Sequence, residues 1–322
     1  VVELPWEQAL TAFWNGAFGP SFVAGTLVRA TPLLFLGLSV ALSFRSGLLN
    51  IGADGQFLVG AAAATTVALA GGSLPHMAVV LAMILAGAVA GGAWAGIAAI
   101  FKQRFGVLEV ISTLLLNAVA MYVVAWLVRG PLQEPTGVYP QTATIPESAR
   151  WPLVLPEYRL HLEFVIALFG AGFLWWFLTF TAAGFRIRAV GASVRAAANA
   201  GGINVDRTIT GVFLASGALA GIAGAAEVGG ITWALYEGIS PAYGYTAIAV
   251  ALLAGLDARL VVPSAVFFGA LQAGGAAMQR DAGIPSVVVT VIIAVIVLGV
   301  LAARRGQNVV VAVSRRAGAG AP

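Results

Sequence analysis

The chain has 322 residues, of which 60% are hydrophobic and only 9% charged, and its mean hydropathy is +0.95. Soluble domains carry about 25% charged residues, so the composition excludes an ordinary soluble enzyme and points to an integral membrane protein. The net charge of +4 and the pI near 9.8 are topological and give no ground for nucleic-acid binding. The absence of cysteine excludes disulfides, thiolate metal sites and cysteine nucleophiles.

In chain order, residues 1–21 are too polar to span a membrane. Trp6, Phe13, Trp14 and Phe18 recur at helical spacing, which fits an amphipathic helix at the interface as well as a loop with aromatic anchors. A crossing needs about 20 apolar residues, and nine apolar stretches meet or approach that length: 22–43, 48–70, 77–100, 109–128, 163–182, 208–228, 245–256, 261–279 and 286–303. Together they predict an all-α, polytopic helical bundle, a single transmembrane domain over 22–303 followed by a polar tail, 304–322. The seventh stretch stops at Gly255, Leu256 and Asp257 and reads as a half-helix or re-entrant segment, tolerated at that depth only when buried in protein or lining a cavity.

Orientation follows from charge. If the first span runs outside to inside, the inner segments hold twelve basic residues: Arg45, Lys102, Arg104, Arg186, Arg188, Arg195, Arg207, Arg259, Arg304, Arg305, Arg315 and Arg316. The outer segments hold four, Arg129, Arg150, Arg159 and Arg280, with Arg29 left near the outer end of the first span, which is the bias the positive-inside rule describes. The C-terminus is then cytoplasmic. The largest outer loop, 129–162, carries six prolines and is not expected to form a long helix. The largest inner segment, 184–207, is rich in Ala and Arg and ends at Gly201 and Gly202, a short helix with a stop.

Gly87/Gly91, Gly92/Gly96 and Gly217/Gly221 recur at the four-residue spacing that lets helices approach closely in lipid. A weak echo between 39–61 and 249–270 is compatible with an internal repeat of the kind transporters use.

Polar residues inside the apolar stretches are the candidates for function. Gly47 to Gln56 (GLLNIGADGQ) sets three glycines, Asn50, Asp54 and Gln56 at the start of a span. Polar groups in a membrane are costly and face a bundle interior or a cavity. This stretch reads either as a broken helix freeing backbone groups for a ligand or as a helix start at the membrane surface, capped by Asn50 or Asp54. Glu109, Ser112, Thr113 and Asn117 share one helical face, lining a pathway or bonding between helices. Glu227 precedes Trp233, Tyr236, Tyr243 and Tyr245, rings that suit an interfacial belt or stacking on a flat ligand. His76 and His161, the only histidines, have no metal-ligand spacing, and no Walker A pattern is present, so neither ATP hydrolysis nor another enzyme activity is expected of this chain. An ion-coupled carrier using Asp54, Glu109 and Glu227 remains open on residues alone.

At these residues the chain resembles a known family. Gly47 to Gln56 is similar to the GLFNIGAEGQ signature of bacterial ABC-importer permeases of the ribose/branched-chain amino acid type. Arg29 to Pro32, Phe105 to Thr113, Arg188 to Gly191, Ser216 to Gly224, Gly244 to Leu252, Phe268 to Gly275 and Met278-Gln279 resemble the nucleoside-uptake subgroup over roughly residues 25–300. Asp54 stands where the signature has Glu. The family has a further span before the segment seen here, so the Val1 start reads as truncated and about ten spans would result with it restored.

The resemblance implies a transport subunit without its own ATPase site, in the bacterial cytoplasmic (inner) membrane. It implies pairing with a second, related permease, an ATPase that binds ATP and Mg on the inner face, and a lipid-anchored substrate-binding protein outside. Segment 184–207, with Arg188, Ala189, Gly191, Arg195, Ala197 and Gly201, is the implied coupling site. Asn50, Asp54, Gln56 and Asn117 are the implied pathway, and loops 129–162 and 229–243 the implied outer docking surface. Nucleosides are the leading implied substrates, with simple sugars and riboflavin-like compounds behind them.

Overall fold

The computed structural model describes residues 6–19, 23–71, 74–158 and 160–285, with isolated positions between 290 and 299. Most of the ninth expected span and the whole tail 304–322 lie outside the described residues. The chain is helical as expected: α1 (Trp6–Phe18), α2 (Val28–Arg45, led in by a π-helical turn, Val23–Leu27), α3 (Ala53–Ala70), α4 (His76–Phe105), α5 (Glu109–Arg129), α6 (Leu162–Phe180), α7 (Ala182–Ala192), α8 (Val194–Gly201), α9 (Val205–Ala226), α10 (Tyr243–Leu253) and α11 (Ala258–Ala282). Seven of these, α2 to α6, α9 and α11, are long and apolar enough to cross a membrane. The seventh expected span is the short α10, which covers about 16 Å, half of a hydrocarbon core about 30 Å thick.

Helices α2, α3 and α9 form the centre. Leu33, Leu34, Leu36, Leu38, Phe57 and Phe213 are fully enclosed there, and α4, α10 and α11 pack round them. The glycine spacing has a direct consequence: a Cβ on Gly221 of α9 would run into the backbone of Gly87 on α4, and one on Gly60 of α3 would run into Gly221. Three backbones therefore meet where lipid offers no hydrophobic drive and close packing has to hold helices together. By contrast α4, α5 and α6 turn Leu85, Val89, Leu115, Phe169 and Phe173 outward, as lipid- or partner-facing helices do.

The first segment packs rather than floats. Helix α1 sets Ala9 and Phe13 against Met278 and Gly274 of α11, leaving Trp6, Leu10, Trp14 and Phe18 exposed. The small-residue face of α11 is what admits it.

The charge asymmetry also becomes spatial. Lys102 bonds Glu109 across the α4–α5 turn at 2.6 Å, Gln103 reaches the start of α9 through Asp206 O and Thr210, and Arg259 lies 5.0 Å over Trp175 at the end of α6. Arg45, Arg188 and Arg259 line one hollow and Arg186 and Arg207 another, so these cations gather at one end of the bundle.

Candidate functional site

Helix α2 stops at the arginine-rich end. Gly47, at φ +79°, turns the chain, and residues 48–52 climb back into the bundle before α3 begins. The depth of this hook follows from its partners. Asn50 bonds Ser216, about 16 Å along α9 from its start, and Asn117, about 12 Å along α5, bonds Ile51 and Gly55. The break therefore sits well inside the membrane, where unpaired backbone groups have no water to turn to.

Its polar residues close that account. Asn117 donates to Ile51 O at 2.9 Å and accepts from Gly55 N–H at 2.8 Å. Thr113 accepts from Ile51 N–H at 3.2 Å. Asn50 and Gln56 bond each other reciprocally at 3.2 and 3.1 Å, and Asn50 Oδ1 also accepts from Gly52 N–H at 2.9 Å. Ser216, in turn, receives the Ser39 hydroxyl at its carbonyl, 2.7 Å. Asn50 and Gln56 are each 1% exposed: they brace the hook from behind. The helix does break here, and Asn50, Thr113 and Asn117 take up backbone groups that the break leaves free.

Asp54 occupies the first turn of α3 and faces the start of α10. Its Oδ1 accepts the Ser240 hydroxyl at 2.7 Å and the Gly244 N–H at 2.9 Å. Two helix N-termini thus converge on one carboxylate, the arrangement that favours negative charge. Gly244 is required here because a Cβ would strike the Asp54 backbone. Ala242, directly before α10, is one of three non-glycine positions with positive φ among the described residues, with Trp233 and Leu256, so backbone strain is held at the helix start that faces Asp54.

Asp54 and Asn117 open onto a cavity of about 690 Å³ with Leu58, Leu114, Met121, Tyr122, Glu237, Ser240 and Tyr245. Tyr122 is 70% exposed, and Tyr245 OH accepts from Asn117 Nδ2 at 3.5 Å. Glu237 is neutralised at the rim by Arg129, 2.7 Å. The expected pathway residues thus divide: Asp54 and Asn117 share this cavity, while Asn50 and Gln56 do not reach it. Ser216 and Ser240 were missed in the sequence, where a lone serine in an apolar run carries no signal. Of the rings read as belt or stacking groups, Tyr245 lines the cavity, whereas Tyr243 is buried against Phe57 at 5.8 Å.

At the arginine-rich end, segment 184–207 is two helices, α7 and α8, capped in turn by Thr181 and Ser193. Val194, Arg195 and Ala196 are exposed. Ala197 is buried, and Gly191 lies against the carbonyl of Arg45 with no room for a Cβ. Of the expected coupling residues, Arg195 is therefore presented outward, while Gly191 and Ala197 hold the helix pair to the bundle. Asp257, beside Arg45, caps α11 by accepting Arg259 N–H at 2.9 Å. Its hydrogen bonds from the Arg259 side chain hold its carboxyl below the ordinary value.

At the opposite end loop 129–162 is zipped to the segment after α9. Trp151 N–H bonds Gly229 O at 3.0 Å, Ile145 N–H bonds Trp233 O at 2.8 Å, and Thr142 N–H bonds Leu235 O at 2.8 Å. Arg150 lies 4.5 Å over the Trp233 ring, and a two-stranded antiparallel ribbon, Leu153–Leu155 with Leu160–His161, finishes the cap. Hydrogen bonds from Gln141 and Thr136 hold Glu134, on the same loop, below the usual carboxylate range.

A multi-pass helical bundle whose spans break at mid-depth, with helix N-termini aimed at a buried polar site, has the architecture of a membrane transport protein. The chain belongs to the family described as branched-chain amino acid transport system / permease component, whose model matches residues 22–301. It is 39% identical to the guanosine ABC transporter permease protein NupP of Bacillus subtilis (strain 168), covering 89% of this chain and 83% of that protein. It is 37% identical to a glucose ABC transporter permease protein of Haloferax volcanii (84% and 74% covered) and 30% identical to the nucleoside ABC transporter permease protein NupB of Lactococcus lactis subsp. cremoris (strain MG1363; 85% and 78% covered). Each of these three organisms contributes a second, less similar match. No solved structure matches the chain.

Proposed function

We propose that this chain is a permease subunit of an ATP-driven importer for nucleosides, in the bacterial cytoplasmic membrane with its C-terminus inside. The observation that carries this reading is the match to a guanosine permease over 89% of the chain, joined to a mid-depth break beside a cavity. The pathway runs past Asp54 and Asn117, with Asn50, Gln56 and Ser216 holding the hook that forms its wall. The chain has no ATPase site of its own. ATP and Mg are bound by a partner ATPase that docks on α7 and α8, chiefly on the face of Arg195, and closure of the ATPases moves this helix pair. Because Gly191 rides directly on the Arg45 carbonyl, that movement passes to the end of α2 and so to the hook.

A second, related permease completes the pathway along the exposed face of α5, and the paired relatives in three organisms support a heterodimer. A lipid-anchored binding protein delivers substrate to the outer loops 129–162 and 229–243. Simple sugars are the second reading, favoured by the 37% identity to a glucose permease. Uptake of labelled guanosine, uridine, ribose and glucose into proteoliposomes holding the four-component complex, with and without internal ATP, decides between them. ATP-dependent nucleoside uptake is expected; ATP-dependent uptake of sugars alone would assign the second reading, and ATP-independent uptake by this chain alone would sink both.

A further inference from the structure

The cavity beside Asp54 carries an asymmetry that the importer reading does not require. Both protein hydrogen bonds to this carboxylate fall on Oδ1, from Ser240 and Gly244. Among the described residues Oδ2 accepts none, and no cation lies within ion-pair distance of Asp54. The other carboxylate on the cavity, Glu237, is paired twice with Arg129, at 2.7 and 3.2 Å. The cavity wall therefore offers one fixed, unpaired anionic acceptor at mid-depth. Around it stand a phenol, Tyr245, whose oxygen takes the Asn117 amide, a second ring, Tyr122, and apolar surface from Leu58, Leu114 and Met121.

This chemistry selects. A phosphorylated ligand would be repelled by Asp54, with no cation among the described residues that line the cavity to offset the repulsion. A neutral ring carrying hydroxyl donors would gain charge-assisted bonds, roughly twice as strong as neutral ones, and its apolar face has Tyr122 and Tyr245 to lie against.

We propose that Asp54, through Oδ2, is the specificity-determining acceptor for the vicinal diol of the sugar ring in transit, so that the pathway reads the sugar and tolerates any base. The proposal rests on the reading of this cavity as the pathway. The substrate class is unphosphorylated nucleosides and sugars with adjacent free hydroxyls, which is chemistry common to guanosine and glucose.

The test uses the reconstituted complex of this chain with its partner permease, ATPase and binding protein, supplied with binding protein fully loaded with either labelled guanosine or 2′-deoxyguanosine. Full loading removes the binding protein's own preference from the rate. Wild type is expected to take up guanosine about tenfold faster, as loss of one charge-assisted hydrogen bond implies. In D54N, whose side chain can still accept from Ser240 and Gly244, the ratio is expected to fall toward one, while D54E keeps the preference. Equal wild-type rates, or an unchanged ratio in D54N, would overturn the assignment. If D54N takes up neither substrate, D54E decides: uptake without ribonucleoside preference overturns it. Absence of ATP-dependent guanosine uptake in wild type defeats the nucleoside reading instead. The same comparison then runs with glucose against 2,4-dideoxyglucose, which has no two adjacent free hydroxyls, and equal rates overturn the diol assignment.

Discussion

Replacing Asn117 by Leu isolates the energetics of the hook. The side chain serves two backbone groups that the break between α2 and α3 leaves without helical partners, Ile51 O at 2.9 Å and Gly55 N–H at 2.8 Å. Leucine is close in size and can pair with neither. Each buried group left unpaired costs about 1–3 kcal/mol, and at this depth water is not there to compensate. The two together come to about 2–6 kcal/mol, offset by about 1–2 kcal/mol of added apolar burial. The net loss is at most about 5 kcal/mol, and its midpoint of about 2–3 kcal/mol lowers the melting temperature by several degrees in a protein of this size. Thermal unfolding in detergent, followed by size-exclusion chromatography, reads this directly. The neighbouring L114A serves as the control, since Leu114 is largely exposed on the same helix. If N117L melts within a degree of wild type while L114A does the same, Asn117 does not hold the hook and its place in the site is wrong.

Other consequences follow from the same geometry. A double-mutant cycle on Asn50→Ala and Gln56→Ala should show a coupling of about 0.5–3 kcal/mol in melting experiments, because the two amides bond each other reciprocally; additive losses would contradict this. G221V should abolish recovery of monodisperse protein, since α4 offers no space, whereas G211A, with nothing near its Cβ position, should be neutral or stabilise by up to about 1 kcal/mol; matched behaviour of the two would refute the packing. On α8, R195E should reduce co-purification of the ATPase at unchanged melting temperature, while G191R should lower the melting temperature itself. The reverse pattern would exchange the roles assigned to these residues. Asp257, held below its ordinary value chiefly by hydrogen bonding from Arg259, contributes stability that is present above the unfolded carboxyl value and lost as pH falls through the folded one. Melting temperature should therefore drop on acidification below about pH 4 less steeply in D257N than in wild type, and equal slopes would remove Asp257 from the account.

Much of this was written in the sequence because membrane chemistry leaves polar residues few places to be. Gly47 to Gln56 stood out since three glycines and three polar side chains interrupt an apolar run, and the short α10 was visible in the stop at Gly255 to Asp257. What did not show was which polar group serves the ligand and which serves the fold. Asn50 and Asp54 are equally polar, yet only the packing reveals that one turns to Gln56 and Ser216 and the other to a cavity. Ser216 and Ser240 matter through partners distant in sequence. The division of 184–207 into two helices rests on Ser193 acting as a cap, and the close contact of Gly191 on an approach to Arg45 that no local pattern records. The zipper between 142–151 and 229–235 was likewise hidden, because proline-rich loops announce only that they are not helices.

The central claim is that substrate passes the cavity beside Asp54 and Asn117. The chain contains no cysteine, so a single cysteine can be placed at Ala118, on the cavity wall, and another at Phe169, on the outward face of α6. Each is treated with a bulky thiol reagent in the reconstituted complex before ATP-driven guanosine uptake is measured. The account predicts that modification at position 118 blocks uptake, is slowed by loaded binding protein during turnover, and has no counterpart at position 169. Full uptake after complete modification at position 118 would place the pathway elsewhere.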